Sequence, residues 1–242
     1  IQKPINLLSK KQNMSLKNLN AIKIHRNLKL KLSNKKIQKL FKTFEKDFNI
    51  QKGFIVAVSG GPDSLALAFL TKLYSVKHKL KCRYFIVDHK LRGESTNEAT
   101  KVKKILNTFN IKSEILTWYG KKPTKNIQSQ ARKKRYDLLF SKCKQLKISN
   151  LVIGHHLDDL FENFFMRMIR GSGLKGLVSL EKNTKLASIN LIRPLLGFEK
   201  KDLEFISKYI FNFFVKDPSN ENIKFKRIKI RNIISEFKKN GL

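Results

Sequence analysis

The chain has 242 residues, enough for one α/β domain with additions, and no apolar run reaches the ~20 residues that a membrane-spanning helix needs. Its 52 Lys and Arg residues against 18 Asp and Glu residues give a net charge of +34, which attracts polyanions, nucleic acid above all. The 2 cysteines, Cys82 and Cys143, are far apart, which argues against a disulfide framework and a Cys-ligated zinc or iron–sulfur site and makes a cytoplasmic location the simplest expectation.

The first region, residues 1–49, is predicted to be a basic arm followed by a helix. It is rich in Lys and Asn and has no acidic residue before Glu45. Towards its end, apolar residues recur at the spacing of one helix face: Ile37, Leu40, Phe41, Phe44 and Phe48. We therefore expect a helix to lead into the first strand.

A glycine-rich turn between a strand and a helix is the most informative feature of the sequence. The apolar residues 54–58 read as a buried parallel strand, and a helical pattern begins at Leu65. The residues between them are Ser59, Gly60, Gly61, Pro62, Asp63 and Ser64. Glycines let the backbone approach a phosphate closely, and the first N–H groups of a helix attract anions.

The same turn excludes two common phosphate-binding motifs. It has no Lys and no Walker spacing, and the dinucleotide pattern Gly-x-Gly-x-x-Gly is absent. Asp63 and Ser64 have oxygens that could cap the helix or hold a Mg²⁺ bound to phosphate. An ordinary strand-to-helix turn that needs glycine is the alternative.

Beyond the turn, strands and helices alternate. Strands are predicted at 83–87, 113–118, 150–153 and 189–192, and helices at 97–109, 127–146, 158–169 and 200–211. Alternation of this kind predicts an α/β fold with a doubly wound parallel sheet and flanking helices. Ligands bind at the carboxyl ends of such strands, so the turn at Ser59, the pair Asp88 and His89, and the segment 154–159 should share one edge.

An acidic cluster follows the predicted strand at 150–153. Gly154, His155 and His156 precede Asp158 and Asp159, and Glu162 lies three to four residues further on, on the same helix face. These carboxylates could coordinate Mg²⁺ opposite the glycine-rich turn, or they could simply cap the helix. Zinc is disfavoured because adjacent histidines are poorly spaced for one metal and no Cys is near.

Three segments with basic residues are candidates for contact with RNA. Arg132 and Arg135 lie in a cationic run on the predicted long helix, and Arg170 begins a Gly-rich segment. Arg227 and Arg231 belong to a C-terminal stretch in which cations alternate with apolar residues. Each run could track phosphates or could be a solvated surface.

The turn at residues 59–64 resembles the PP-loop of the N-type ATP pyrophosphatases, which cleave ATP between its α- and β-phosphates. Further motifs narrow the resemblance to the tRNA(Ile)-lysidine synthetases and extend it from about residue 54 to residue 231. They are Asp88-His89-x-Leu91-Arg92, Gln130-Ala131-Arg132, Gly154-His155-His156-x-Asp158-Asp159, Arg170-Gly171-Ser172-Gly173, Arg193-Pro194-Leu195-Leu196 and Asp217-Pro218-Ser219-Asn220. The stretch after Asn220 departs from the family pattern, because residues 225–231 lack the Asn and one Arg that the family has there.

The resemblance implies ATP and Mg²⁺ as cofactors, a CAU-anticodon isoleucine tRNA and free L-lysine as substrates, and no membrane. It implies a ligase that adenylates the C2 oxygen of the wobble cytidine, releases pyrophosphate, and then joins lysine to C2 with loss of AMP. The implied catalytic residues are Asp63, Asp158, Asp159, His156 and Arg193, with Mg²⁺ on Asp63 and Asp159. The implied ATP-binding residues are Ser59, Gly60, Gly61, Pro62, Asp63, Ser64, Asp88, His89, Gly154 and Arg132. The implied RNA-binding residues are Arg132, Arg135, Arg170, Arg227 and Arg231.

The resemblance also implies an organisation of the chain. Residues 50–217 are expected to form the ATP-binding catalytic domain, and residues 218–242 a basic tail. A PP-loop tRNA thiolase of the 2-thiocytidine type and a non-catalytic RNA-binding protein are the alternatives, and the oligomeric state is left open, with a homodimer as one option.

Overall fold

The computed structural model describes residues 31–173 and 180–215, together with 230, 233, 234, 236, 239 and 240. Helices and strands alternate along most of this length. In chain order they are α1 (Lys35–Asp47), β1 (Phe54–Val58), α2 (Pro62–Lys77), β2 (Cys82–Asp88), α3 (Ser95–Thr108), β3 (Ser113–Thr117), α4 (Ile127–Leu146), β4 (Asn150–Val152), α5 (Leu157–Ile169), β5 (Asn183–Leu186), β6 (Ile189–Ile192) and α6 (Lys200–Phe211). The basic arm of residues 1–30, most of the tail, and with it Arg227 and Arg231, lie outside the described residues.

The strands form one six-stranded sheet in the order β3-β2-β1-β4-β6-β5. Five strands run parallel, and β5 pairs antiparallel with β6. The predicted doubly wound parallel sheet is confirmed. The edge strand β5 was not predicted, because its residues Asn-Thr-Lys-Leu lack an apolar pattern and are mostly exposed.

Helices cover both faces of the sheet. Phe54, Val56 and Val58 point to a core shared with α1, α2, α3 and α6, whereas Ile55 packs on the opposite face with residues of α4 such as Leu139. Alternate residues of β1 are thus buried on opposite faces, which explains why the strand is almost continuously apolar. The helix α1 starts at Asn34, whose side chain accepts hydrogen bonds from the N–H groups of Lys36 and Ile37.

The helix α5 differs from the others in what it buries. Glu162 is its one buried residue, with 1 % of its surface exposed, while large apolar side chains along the helix are exposed. These exposed residues are Phe161, Phe164, Met168 and Ile169. Across the part of the chain that the structure describes, no helix has the length and apolar character that crossing a bilayer demands.

Candidate functional site

Three polar segments meet at the carboxyl edge of neighbouring strands. The loop after β1 leads to Ser59, the end of β2 carries Asp88, and Gly154 follows β4. Because β1 lies between β2 and β4 in the sheet, the ends of these strands are adjacent. The expected convergence on one edge is therefore confirmed for these segments.

The Ser64 hydroxyl lies at the centre of the loop between β1 and α2. Its oxygen is 3.1 Å from the backbone nitrogens of Ser59 and Gly60, which donate to it, and the hydroxyl lies 3.0 Å from the Gly61 carbonyl, to which it donates. The Ser59 hydroxyl also bonds to it at 3.1 Å. The backbone N–H groups therefore point into the loop, as an anion cradle requires.

Close packing around this loop requires glycine at position 60 and leaves little room at Gly154. Gly60 has a φ of +87°, and a Cβ there would lie 2.6 Å from a methyl of Val102, so a side chain is excluded on both counts. A Cβ on Gly154 would lie 3.4 Å from backbone atoms of Asp63 and Ser64. The end of β4 therefore packs directly against the backbone at the start of α2.

The His156 ring lies between two carboxylates. Its Nε2 atom is 3.7 Å from Oδ2 of Asp63 and 3.6 Å from Oδ2 of Asp159. The position of Asp159 is fixed by a capping box at the start of α5, because its side chain accepts a 3.0 Å hydrogen bond from the His156 backbone N–H. The contact between the side chains of His156 and Asp63 therefore links the N-terminus of α5 to the N-terminus of α2.

Hydrogen bonding also fixes the orientation of the His156 ring. The Nδ1 atom lies 3.2 Å from the backbone nitrogen of Asp158, which donates to it. The other ring nitrogen, Nε2, is therefore the one that faces Asp63 and Asp159. The ring is 5 % exposed, so its orientation is held by packing as well.

The Asp63 carboxylate is suited to a ligand. Burial raises its pKa above the ordinary value, His156 opposes this rise, and the nearby Asp159 adds to it. Its Oδ1 atom is buried and has no hydrogen-bond partner within the described residues. A buried carboxylate oxygen without a donor, beside a second carboxylate, fits a Mg²⁺ ion, which uses one or two carboxylates together with phosphate oxygens and water. Among the residues described, no three His, Cys, Asp or Glu side chains gather as a metal site, so such an ion would draw its other ligands from phosphate and water.

Asp88 and His89 lie at the end of β2, and their contacts are mainly within the protein. The Asp88 side chain is 2 % exposed and accepts from the Lys90 backbone N–H at 2.9 Å and from the Thr96 hydroxyl at 2.7 Å. The Nε2 atom of His89 accepts from Nε of Arg135 at 3.3 Å. Burial, and then the charge of Arg135, lower the pKa of His89 to about 4, so its ring is neutral at physiological pH.

Arg193 follows β6 and is 7 % exposed. Its Nη1 donates to the Glu181 carbonyl and to the Thr184 hydroxyl, both at 2.8 Å, and so holds the β5–β6 hairpin. Burial and the charge of Arg132 lower its pKa, against the effect of Tyr136. Arg193 and Arg132 line one surface cavity of about 360 Å³ between α4 and the hairpin. Both residues were predicted to belong to the site, but their shared cavity was not predicted.

The remaining predicted residues are more exposed. Arg170 lies at the C-terminal end of α5 and is exposed, and Arg135 contacts His89. The capping role of His156 and the burial of Glu162 were not predicted. In the sequence, a His followed three residues later by an Asp is the pattern from which this capping box could have been predicted.

A family model described as PP-loop domain matches residues 7–237. Curated relatives named tRNA(Ile)-lysidine synthase are similar too. The one from Orientia tsutsugamushi (strain Boryong) is 42 % identical over 182 residues, which cover 74 % of this chain and 40 % of that protein. The one from Rhodopseudomonas palustris (strain ATCC BAA-98 / CGA009) is 34 % identical over 197 residues, which cover 81 % of this chain and 57 % of that protein. The chain thus spans about half the length of the curated relatives it matches.

The fold also resembles a solved structure, a U34-tRNA thiolase from Methanococcus maripaludis with its [4Fe-4S] cluster. The TM-score is 0.72, the sequence identity is 21 %, and the match covers 85 % of this chain and 73 % of that one. At this identity the similarity shows the shared fold alone.

Proposed function

Because this chain belongs to the PP-loop domain family, we propose that it binds ATP at residues 59–64 and ligates L-lysine to the wobble cytidine of a CAU-anticodon isoleucine tRNA. The observation that carries the proposal is the cluster of Asp63, His156 and Asp159 beside the glycine-rich loop. The similarity to relatives named tRNA(Ile)-lysidine synthase supports the choice of substrates.

The proposed reaction has two steps that share one site. The C2 oxygen of the cytidine attacks the α-phosphorus of ATP, and the bond to pyrophosphate breaks. The lysine side-chain nitrogen, having lost a proton, then bonds to C2, and AMP leaves with the C2 oxygen. Both steps develop or release negative charge on phosphate, so preorganised N–H donors and cations are the stabilising groups that they need.

The described residues supply these groups as follows. The N–H groups of Ser59 and Gly60 would bind phosphate oxygens of ATP. Asp63 and Asp159 would hold Mg²⁺, which when bound neutralises the charge of the phosphates. His156 would keep both carboxylates close together by facing them with Nε2, because its other ring nitrogen is used by the Asp158 backbone. Because Gly154 has no side chain, the end of β4 packs closely against the backbone of Asp63 and Ser64.

A thiolase is the weaker alternative. Sulfur transfer by a protein persulfide needs a reactive thiolate. Burial raises the pKa of Cys82 to about 12 and that of Cys143 to about 11, so both thiols are protonated at neutral pH. Cys82 also begins β2 and so lies at the opposite end of the strands from Ser59.

The proposal is tested with a CAU-anticodon isoleucine tRNA transcript, ATP, Mg²⁺ and labelled lysine. We expect a stable increase in the mass of the tRNA by one lysine less one water, at the cytidine, and formation of AMP and pyrophosphate. Asp63→Asn should lower the rate by at least ~10²-fold, and Asp47→Asn, which changes a surface carboxylate bonded to Lys182, is the matched control. Release of ADP, or incorporation of sulfur rather than lysine, would contradict the proposal.

A further inference from the structure

The cavity between α4 and the β5–β6 hairpin is lined by three cations and one carboxylate. The cations are Arg132, Lys133 and Arg193, and the carboxylate is Asp137. Its volume of about 360 Å³ is within the range of sites for small ligands. The excess of positive charge indicates an anionic ligand.

Arg193 gives the cavity a fixed cationic group. The side chain is 7 % exposed, and Nη1 is held by Glu181 and Thr184, yet its buried Nε has no hydrogen-bond partner within the described residues. A buried donor without an acceptor is costly, and Arg132 adds the repulsion of a like charge. An anion between the two guanidinium groups would offset the repulsion between their charges.

The rest of the cavity wall is aromatic and apolar. Tyr136 and Phe140 have ring centroids 5.6 Å apart, and Leu191 of β6 also lines the cavity. The Arg132 guanidinium lies 5.3 Å from the centre of the Tyr136 ring, so a cation and a flat apolar surface are adjacent. This combination suits a nucleotide, whose base stacks on a ring and whose phosphate binds Arg.

We propose that this cavity binds one unpaired nucleotide of the RNA substrate, with its phosphate between Arg132 and Arg193 and its base on Tyr136. This inference rests on the proposed function for the identity of the polymer. The position of the cavity favours RNA over ATP, because α4 packs on the face of the sheet opposite α2, whose N-terminus carries the PP-loop.

The backbone that follows Arg193 also contacts the backbone at the proposed reaction centre. Leu195, two residues after Arg193, forms a parallel bridge with His156, and the Leu157 backbone N–H donates to the Phe198 carbonyl at 3.2 Å. These backbone contacts place the cavity beside the segment that carries His156, and on this basis we assign the bound nucleotide as a neighbour of the reacting cytidine.

The test compares binding of ATP with binding of a short single-stranded RNA that has CAU at its centre. Tyr136→Leu keeps apolar volume but removes the ring, and should weaken RNA binding about 5- to 100-fold, the range for loss of one stacked base. Arg132→Gln should reduce the slope of log K against log salt by about 0.7. Tyr209→Leu and Lys144→Gln are the matched controls, because Tyr209 stacks on Phe205 elsewhere and Lys144 is exposed near the end of α4.

A second measurement keeps the outcome independent of folding and turnover. RNA that carries 4-thiouridine next to the cytidine should crosslink to the α4 peptide containing Tyr136, without lysine present. Unchanged RNA affinity in both variants would overturn the inference. Loss of ATP affinity with intact RNA binding would also overturn it and assign the cavity to ATP. RNA binding through the cavity without lysidine formation would instead contradict only the proposed function.

Discussion

The Nε2 atom of His156 faces Oδ2 of Asp63 at 3.7 Å, although the two residues begin different helices. The ring cannot rotate freely, because its Nδ1 accepts from the backbone of Asp158 and its surface is almost fully buried. The imidazole therefore sets the distance between the Asp63 loop and the acidic end of α5.

Asp63 should matter for turnover. Asp63→Asn preserves size but removes the charge that would hold Mg²⁺, and we expect a loss of at least ~10²-fold in rate, the scale for one electrostatic stabiliser. The measurement is single-turnover formation of pyrophosphate at saturating Mg²⁺. A rate near that of the unaltered protein would remove Asp63 from the site.

The same substitution should raise stability in a pH-dependent way. The pKa of Asp63 in the folded chain is raised above the ordinary value of 3.8, so folding favours the protonated carboxyl and the free energy of unfolding falls as pH rises through the interval between the two values. Asn has no such dependence. The stability of Asp63→Asn relative to the unaltered protein should therefore increase from pH 4 towards pH 7 in urea titrations without nucleotide. A pH-independent difference would contradict the raised pKa.

Replacement of Gly60 should strongly lower the free energy of unfolding. Gly60→Ala imposes a positive φ on Ala and places its methyl 2.6 Å from Val102, whereas Gly120→Ala imposes a φ of +102° with no neighbour within 4 Å. The control should lose about 1–2 kcal/mol from backbone strain. Gly60→Ala should lose about 1–3 kcal/mol more from overpacking, together with ATP affinity. Equal losses in urea unfolding would mean that the Val102 contact is not restrictive.

The two cysteines should be dispensable for chemistry. In the double variant Cys82→Ala and Cys143→Ala, the buried Cys143 leaves a small cavity, and the expected cost is about 1 kcal/mol of stability. Lysine transfer per folded molecule should stay within about twofold of the unaltered protein. Loss of transfer with an unchanged circular dichroism spectrum would favour the thiolase.

RNA affinity should fall steeply with salt. Each neutralised phosphate contributes about −0.7 to −0.9 to the slope of log K against log salt. The joint change of Lys226, Arg227, Lys229 and Arg231 to Ala should flatten this slope and spare ATP binding, although these residues lie outside the described part of the chain. Unchanged tRNA affinity in filter binding would make the stretch structural only.

Sequence patterns located the sheet and its carboxyl edge because apolar strands followed by polar residues are a local signal. The end of α5 at Ile169 agrees with the prediction, whereas α2 begins at Pro62, ahead of the predicted start at Leu65. The strand β5 was missed because an exposed edge strand needs no apolar face. Its pairing depends instead on β6, and Arg193 fixes the hairpin.

The candidate site was only partly predictable for a related reason. Asp159 lies against His156 because of a capping box, which depends on side-chain geometry at the start of α5. The cavity lined by Arg132 and Arg193 brings together residues that are far apart in the chain. A local sequence pattern cannot predict such proximity. The residue types indicated the chemistry of the candidate site, but tertiary packing determines which of its side chains contact one another.

The Ser64 side chain satisfies the backbone donors of its own loop. Its oxygen accepts from the N–H groups of Ser59 and Gly60, so these buried donors already have an acceptor within the protein. If these N–H groups bind phosphate as we propose, the phosphate oxygen would have to displace the Ser64 hydroxyl. Part of the binding free energy would then be spent on exchanging one acceptor for another.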